Sequence, residues 1–182
     1  MREISLHILD IAQNSIAASA STIIIRAEAD EKSDRLIITI EDNGCGMSPK
    51  LLANVTDPFV TTRTTRNVGL GIPMLMAAAE LCGGGVDIES APGNGTKIKA
   101  VFGLSHIDRE PYGDITSTII SLIVPNPEIS FRYEHRINGR EFVLYTDEIK
   151  AQLEDVPITD PTVVKWLRDY ISEHIIAMGN IT

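Results

Sequence analysis

The chain has 182 residues, 43% of them hydrophobic and 23% charged, with a formal net charge of −9. That composition supports a buried core with room for a small second unit, and the negative balance argues against nucleic acid or an anionic membrane face as a direct partner, since Lys and Arg must neutralise phosphate in both cases. Two cysteines, Cys45 and Cys82, exclude a disulfide framework or a zinc site made of cysteines alone, and the absence of a basic leader or an apolar run near ~20 residues leads to the expectation of a cytoplasmic protein with reduced thiols.

In chain order, Ile4, Ile8, Ile11 or Ala12, and Ile16 recur at helical spacing from Ile4 to Ala20, while His7, Asp10 and Asn14 fall three and four apart on a polar stripe. The runs "STIIIRAEA" (21–29) and "DRLIITIED" (34–42) are rich in β-branched residues and flank the charged "DEKS", so two strands joined by a hairpin loop are expected. The second strand ends in "EDNGCGM" (41–47), where Gly44 and Gly46 let backbone pass close to a ligand beside Asp42. A Thr- and Arg-rich loop, "DPFVTTRTTR" (57–66), follows. In "NVGLGIPMLMAAAELCGGG" (67–85) Gly69 and Gly71 precede a helix that runs to about Cys82; backbone N–H groups at such a start attract phosphate. Neither a complete G-x-G-x-x-G nor a Walker sequence occurs, so a Rossmann or P-loop phosphate site is excluded. "GGGVDIESAPGNGTKIKAVF" (83–102) reads as two strands around a Pro-Gly-Asn-Gly turn.

Beyond a Pro- and Gly-marked connector (104–112), "DITSTIISLIV" is a short helix capped by Asp114 and stopped at Pro125. "EISFRYEHRINGREFVLYTDE" alternates Ile129, Phe131 and Tyr133 and then crosses Asn138-Gly139, a hairpin signal. The last stretch carries a cap at Thr159 or Asp160, Pro161 in the first turn, and an apolar helical face through Val163, Leu167 and Ile171 to Gly179. Residues 113–182 are therefore expected to be a small α+β appendage. Trp166, Tyr170 and His174 are either a docking face or packing against the first domain or the hairpin.

Asn14, then D-x-G-x-G, P-F-V-T-T-R, G-x-G before a helix, and Gly95-Thr96 entering a strand follow in the order found in the histidine-kinase-like ATPase superfamily. This Bergerat-type group unites sensor histidine kinases, anti-sigma-factor kinases, mismatch-repair MutL proteins and type II topoisomerase ATPase subunits, and residues 1–103 resemble it. The resemblance implies an α/β sandwich, a mixed sheet with helices on one face. It further implies ATP and Mg²⁺ as cofactors: Asn14 as the metal ligand, Asp42 as acceptor of the adenine amino group, Gly44, Gly46 and Met47 as the adenine wall, and Thr96 as support for Asp42 or a water beside it. Phe59, Thr61, Thr62 and Arg63 fall in the implied lid, and Gly69, Leu70 and Gly71 in the phosphate loop.

"LDIAQNSIAASASTIII" is similar to the mismatch-repair pattern, with Asp10 where that branch has a catalytic Glu, while the later motifs look like nitrogen-regulation sensor kinases. Asp10 is thus the candidate base; its other role is to pair with His7 or hold a metal-bound water. The similarity begins at residue 4, so no phospho-accepting helical hairpin is expected ahead of it, and His7, His106 and His135 are given structural roles. Three readings remain: a kinase or nucleotide-gated switch acting on an unidentified protein, a slow MutL-like ATPase that could work as a homodimer, or a module that only binds ATP or ADP.

Overall fold

The computed structural model describes residues 3–55, 70–179 and 181. In order these form α1 (Ile4–Ala17), β1 (Thr22–Asp30), β2 (Arg35–Asp42), α2 (Pro49–Asn54), α3 (Gly71–Leu81), β3 (Gly85–Ser90), β4 (Thr96–Gly103), α4 (Ile115–Ile123), β5 (Ser130–Ile137), β6 (Arg140–Tyr145), α5 (Thr146–Leu153) and α6 (Pro161–Met178). The strands make one mixed sheet in the order β3-β4-β2-β1-β5-β6. Among the described strands β1 and β5 are parallel neighbours and the other pairs are antiparallel.

Period-two patterning decides which face is covered. Ile23, Ile25, Ala27 and Ala29 of β1 are buried, and the register sets Ile25 beside Ile40 of β2 and Tyr133 of β5, so one row of large side chains runs across the sheet beneath the helices. Ile4, Ile8 and Ile11 of α1, Leu75 and Ala79 of α3, Ile119 and Leu122 of α4, and Leu167 and Ile171 of α6 close the same core. Each fully buried aliphatic side chain contributes about 1.5–3 kcal/mol to that association. The other face of the sheet is charged. Glu134, almost completely buried, receives Arg26 Nε at 3.3 Å, Arg132 Nε at 2.8 Å and Arg136 Nη2 at 3.0 Å. Three guanidinium groups offset its desolvation, which a single partner rarely does.

The C-terminal region is α+β as expected, with Asp114 and Asp160 capping α4 and α6 and Asn138-Gly139 turning at positive φ. Its hairpin, however, builds no sheet of its own: β5 lies along β1 for eight register pairs and lengthens the common sheet. At the other end of the chain, α1 stops at Ala17 rather than Ala20, because Ser19 turns to φ 59°. Helix α2 was not expected, although Ser48 accepts from Leu51 N at 3.3 Å and Pro49 opens the first turn. Both cysteines are free. No helix among the described residues is long and apolar enough to cross a membrane.

Candidate functional site

Strand β2 delivers Asp42 to the end of the sheet beneath the last turn of α1. There Oδ2 accepts from Ser15 Oγ at 2.6 Å and Oδ1 accepts from Gly44 N at 2.9 Å. Among the described residues each oxygen has one donor and a second lone pair that can take another, so the carboxylate is fixed in direction yet can accept more. Gly44 is buried, and a Cβ there would meet Ala18 O at 2.7 Å.

The loop after Asp42 docks on the β3–β4 turn by backbone contact. A Cβ on Gly46 (φ 67°) would fall 2.0 Å from Ala91 O, and one on Gly95 (φ 74°) 1.8 Å from Asp42 O. Both positions require glycine twice over, for conformation and for space. Ser90 ties this corner together. Its Oγ donates to Gly95 O at 2.9 Å and accepts from Met47 N at 2.8 Å. With its one proton so engaged, it accepts from Thr96 Oγ1 at 2.9 Å. Thr96 stands directly across the ladder from Asp42, but its hydroxyl serves Ser90; the hydroxyl on Asp42 belongs to Ser15.

The second wall is made by α1 and the start of α3. A Cβ on Gly71 would lie 1.8 Å from Asp10 Oδ2 and 3.7 Å from Asn14 Nδ2, so Asp10 and Asn14, one turn apart on α1, both face the first residue of α3. Leu70, the N-cap of α3, makes no side-chain cap hydrogen bond among the described residues, and Pro73 removes one of the helix's early N–H groups. The backbone N–H groups of Gly71 and Ile72 thus lie at the positive end of the helix dipole beside two hard oxygen-bearing side chains. Among the described residues no cluster of three or more His, Cys, Asp or Glu forms a metal site.

Asp10 does not pair with His7. The His7 ring is buried, and its Nε2 lies 2.9 Å from Glu110 Oε2. Burial pushes the His7 pKa down, against the opposing pull of Glu110; Nε2 donates to the carboxylate. The connector holds this helix at its start as well, for Ile4 N donates to Pro111 O at 3.0 Å and Ser5 N to Tyr112 O at 2.9 Å. Two orphan donors of α1 are satisfied by the segment leading into the C-terminal half.

Of the residues singled out in the sequence, Asp42, Gly44, Gly46, Met47 and Thr96 lie at the corner between β2 and the β3–β4 turn, and Asp10, Asn14, Leu70 and Gly71 where α1 meets the start of α3, whereas Phe59, Thr61, Thr62, Arg63 and Gly69 lie outside the described residues. Ser15, Ser90 and Glu110 escaped the sequence reading. Only Ser15 left a signal, a hydroxyl beside Asn14 on an otherwise apolar stripe.

A sequence model of the family described as histidine kinase-, DNA gyrase B-, and HSP90-like ATPase matches residues 2–106, more than half of the chain. The chain belongs to that family. Among curated relatives, this histidine-kinase-like ATPase chain is 29% identical over 109 residues to a putative sensor protein of Shewanella frigidimarina, covering 59% of the chain and 16% of that protein. It is 34% identical over 89 residues to the sensor histidine kinase ZraS of Salmonella typhimurium, covering 48% and 19%. The chain therefore spans less than a fifth of the length of these relatives. A crystal structure described as the N-terminal domain of a DNA repair protein superposes with a TM-score of 0.57 at 15% identity, over 80% of this chain and 53% of that one. The architecture of this histidine-kinase-like ATPase chain is the Bergerat α/β fold.

Proposed function

We propose that the corner between β2, α1 and α3 binds ATP with Mg²⁺ and that the chain then acts on a separate protein, as a phosphoryl donor or as a nucleotide-gated switch. The observation that carries the reading is Asp42: a carboxylate oriented by Ser15 and Gly44 N, beside glycines that bring backbone close around it, suited to accept from an exocyclic amino group. Asn14 supplies a hard amide oxygen for the metal, and the N–H groups of Gly71 and Ile72 attract phosphate. Gly44, Gly46 and Met47 shape the base pocket. Mg²⁺, when bound, neutralises charge on the phosphates. The nucleotide-holding unit in this reading is residues 1–103, followed by a connector at 104–112.

Asp10 favours a second reading. Its position against Gly71 suits a base that orients water, which makes a slow ATPase the alternative to transfer onto a partner. The deciding experiment is calorimetry with ATP, with and without Mg²⁺, on the native chain and on Asn14→Ala, followed by γ-labelled ATP in the presence and absence of lysate. Mg²⁺-dependent binding that loses its Mg²⁺ dependence in Asn14→Ala supports the site; equal affinity under all four conditions refutes it. Label on a lysate protein then selects transfer, and label in free phosphate without lysate selects hydrolysis.

A further inference from the structure

We propose that the outer face of α6 is a docking surface for an arginine-bearing segment of another protein, held by a stacked aromatic ladder between two carboxylates. The ladder begins in the core. Phe142 of β6 is buried and stacks on His174 at 4.7 Å and 24°; His174 lies 4.3 Å from Tyr170, and Tyr170 stacks on Trp166 at 5.1 Å and 18°. His174 Nδ1 donates to Tyr170 O at 2.8 Å, which fixes that ring. The rows of α6 thus lead from a rigid anchor outward to the chain's one tryptophan, which is 47% exposed. An indole that could have been packed is displayed, and it is already ordered by its neighbours, so little side-chain freedom remains to be lost on contact.

Charge decides what can cover it. Helical spacing puts Asp169 and Glu173 on the same side of α6 as Trp166 and Tyr170, and neither forms an ion pair among the described residues. The nearby cations are turned away: Arg168 Nη1 donates to Ser117 Oγ of α4 at 2.9 Å, and Lys165 projects about 100° round the helix from Trp166. From residue 146 onward the sequence carries seven carboxylates and three cations, within a chain of net charge −9. A second copy brought face to face would oppose like charges. A guanidinium meets both features at once, stacking on an indole or phenol face while its N–H groups reach a carboxylate.

Because Trp166 is the sole tryptophan, its fluorescence reports this face directly. Titration of the full chain with an Arg-Gly repeat peptide should change the emission saturably, whereas a Glu-Gly repeat should not. The effect should weaken as salt is raised, and Asp169→Asn with Glu173→Gln should lower affinity about tenfold, with circular dichroism unchanged. The proposal is overturned if the two peptides act alike, if neither acts, or if the carboxylate variant binds as before. It is also overturned if the indole becomes shielded as protein concentration alone is raised, since a second copy would then own the face. The outcome is independent of nucleotide, so it separates cleanly from failure of the ATP reading.

Discussion

At the scale of single residues, Asp42 offers the sharpest test because its environment tolerates the isosteric amide. In Asp42→Asn the side-chain oxygen can still accept from Gly44 N and the amide nitrogen can donate to Ser15 Oγ, whose contact at 2.6 Å is hydroxyl-to-carboxylate in the native chain. The variant should therefore fold normally. What changes is the outward face, which gains a donor, so preference for ATP over GTP should fall by ~1–3 kcal/mol in titration calorimetry. Unaltered preference would remove Asp42 from base selection. Asp42 itself was legible in the sequence because D-x-G-x-G is local, but its orientation was not: Ser15 is 27 positions away, and no window of periodicity joins a hydroxyl on one helix to a carboxylate at the end of a later strand.

At the scale of elements, the spacing between α1 and α3 depends on Gly71. The obstruction to a Cβ there is the far end of the Asp10 side chain at 1.8 Å rather than backbone, so Gly71→Ala should be accommodated by rotation of Asp10, at a cost in stability of about 1 kcal/mol. Hydrolysis or phosphotransfer should nonetheless fall ~10²-fold or more if Asp10 is the base. Asp10→Asn should lower the same rate ~10²–10⁴-fold with ATP affinity nearly unchanged, and the two substitutions combined should be far from additive, because the first has already displaced what the second alters. Additive losses in single-turnover assays would show that Asp10 and Gly71 act separately. The contrast with Gly46 and Gly95 is instructive, since a Cβ at either would strike a carbonyl that cannot swing aside. The sequence marks all three glycines in the same way; only the packing separates the movable obstacle from the fixed one.

At the scale of the whole molecule, the connector and β5 meet in a buried polar group. Tyr133 OH lies 2.7 Å from His135 Nδ1 and 3.3 Å from Tyr112 OH, and His135 Nε2 has no partner among the described residues. Burial pushes the His135 pKa down to about 4, while it pushes both phenols up. The unfolded chain therefore takes up a proton first as pH falls. The contribution of His135 is complete above about pH 6.5 and is lost between there and about pH 4, a fall of roughly 3 kcal/mol; His7, also shifted down, acts in the same direction. Urea unfolding from pH 7.5 to 4.5 should show this limb, and His135→Phe should flatten it; an equal slope in both forms would exclude His135 as its source. The hairpin, its Asn138-Gly139 turn and the caps of α4 and α6 were legible because each is written within a few residues. The parallel pairing of β5 with β1 was not, because it joins Thr22 to Ser130 across most of the chain, and composition at either end is silent about the other. That pairing also gives the protein a timetable. During synthesis at ~5–20 residues per second, β1 emerges with one long edge bare and waits on the order of 5–20 s for the strand that covers it. Throughout that interval the nascent chain presents an apolar ladder to whatever else is nearby, so its yield in a cell should depend on how well that edge is shielded before translation ends.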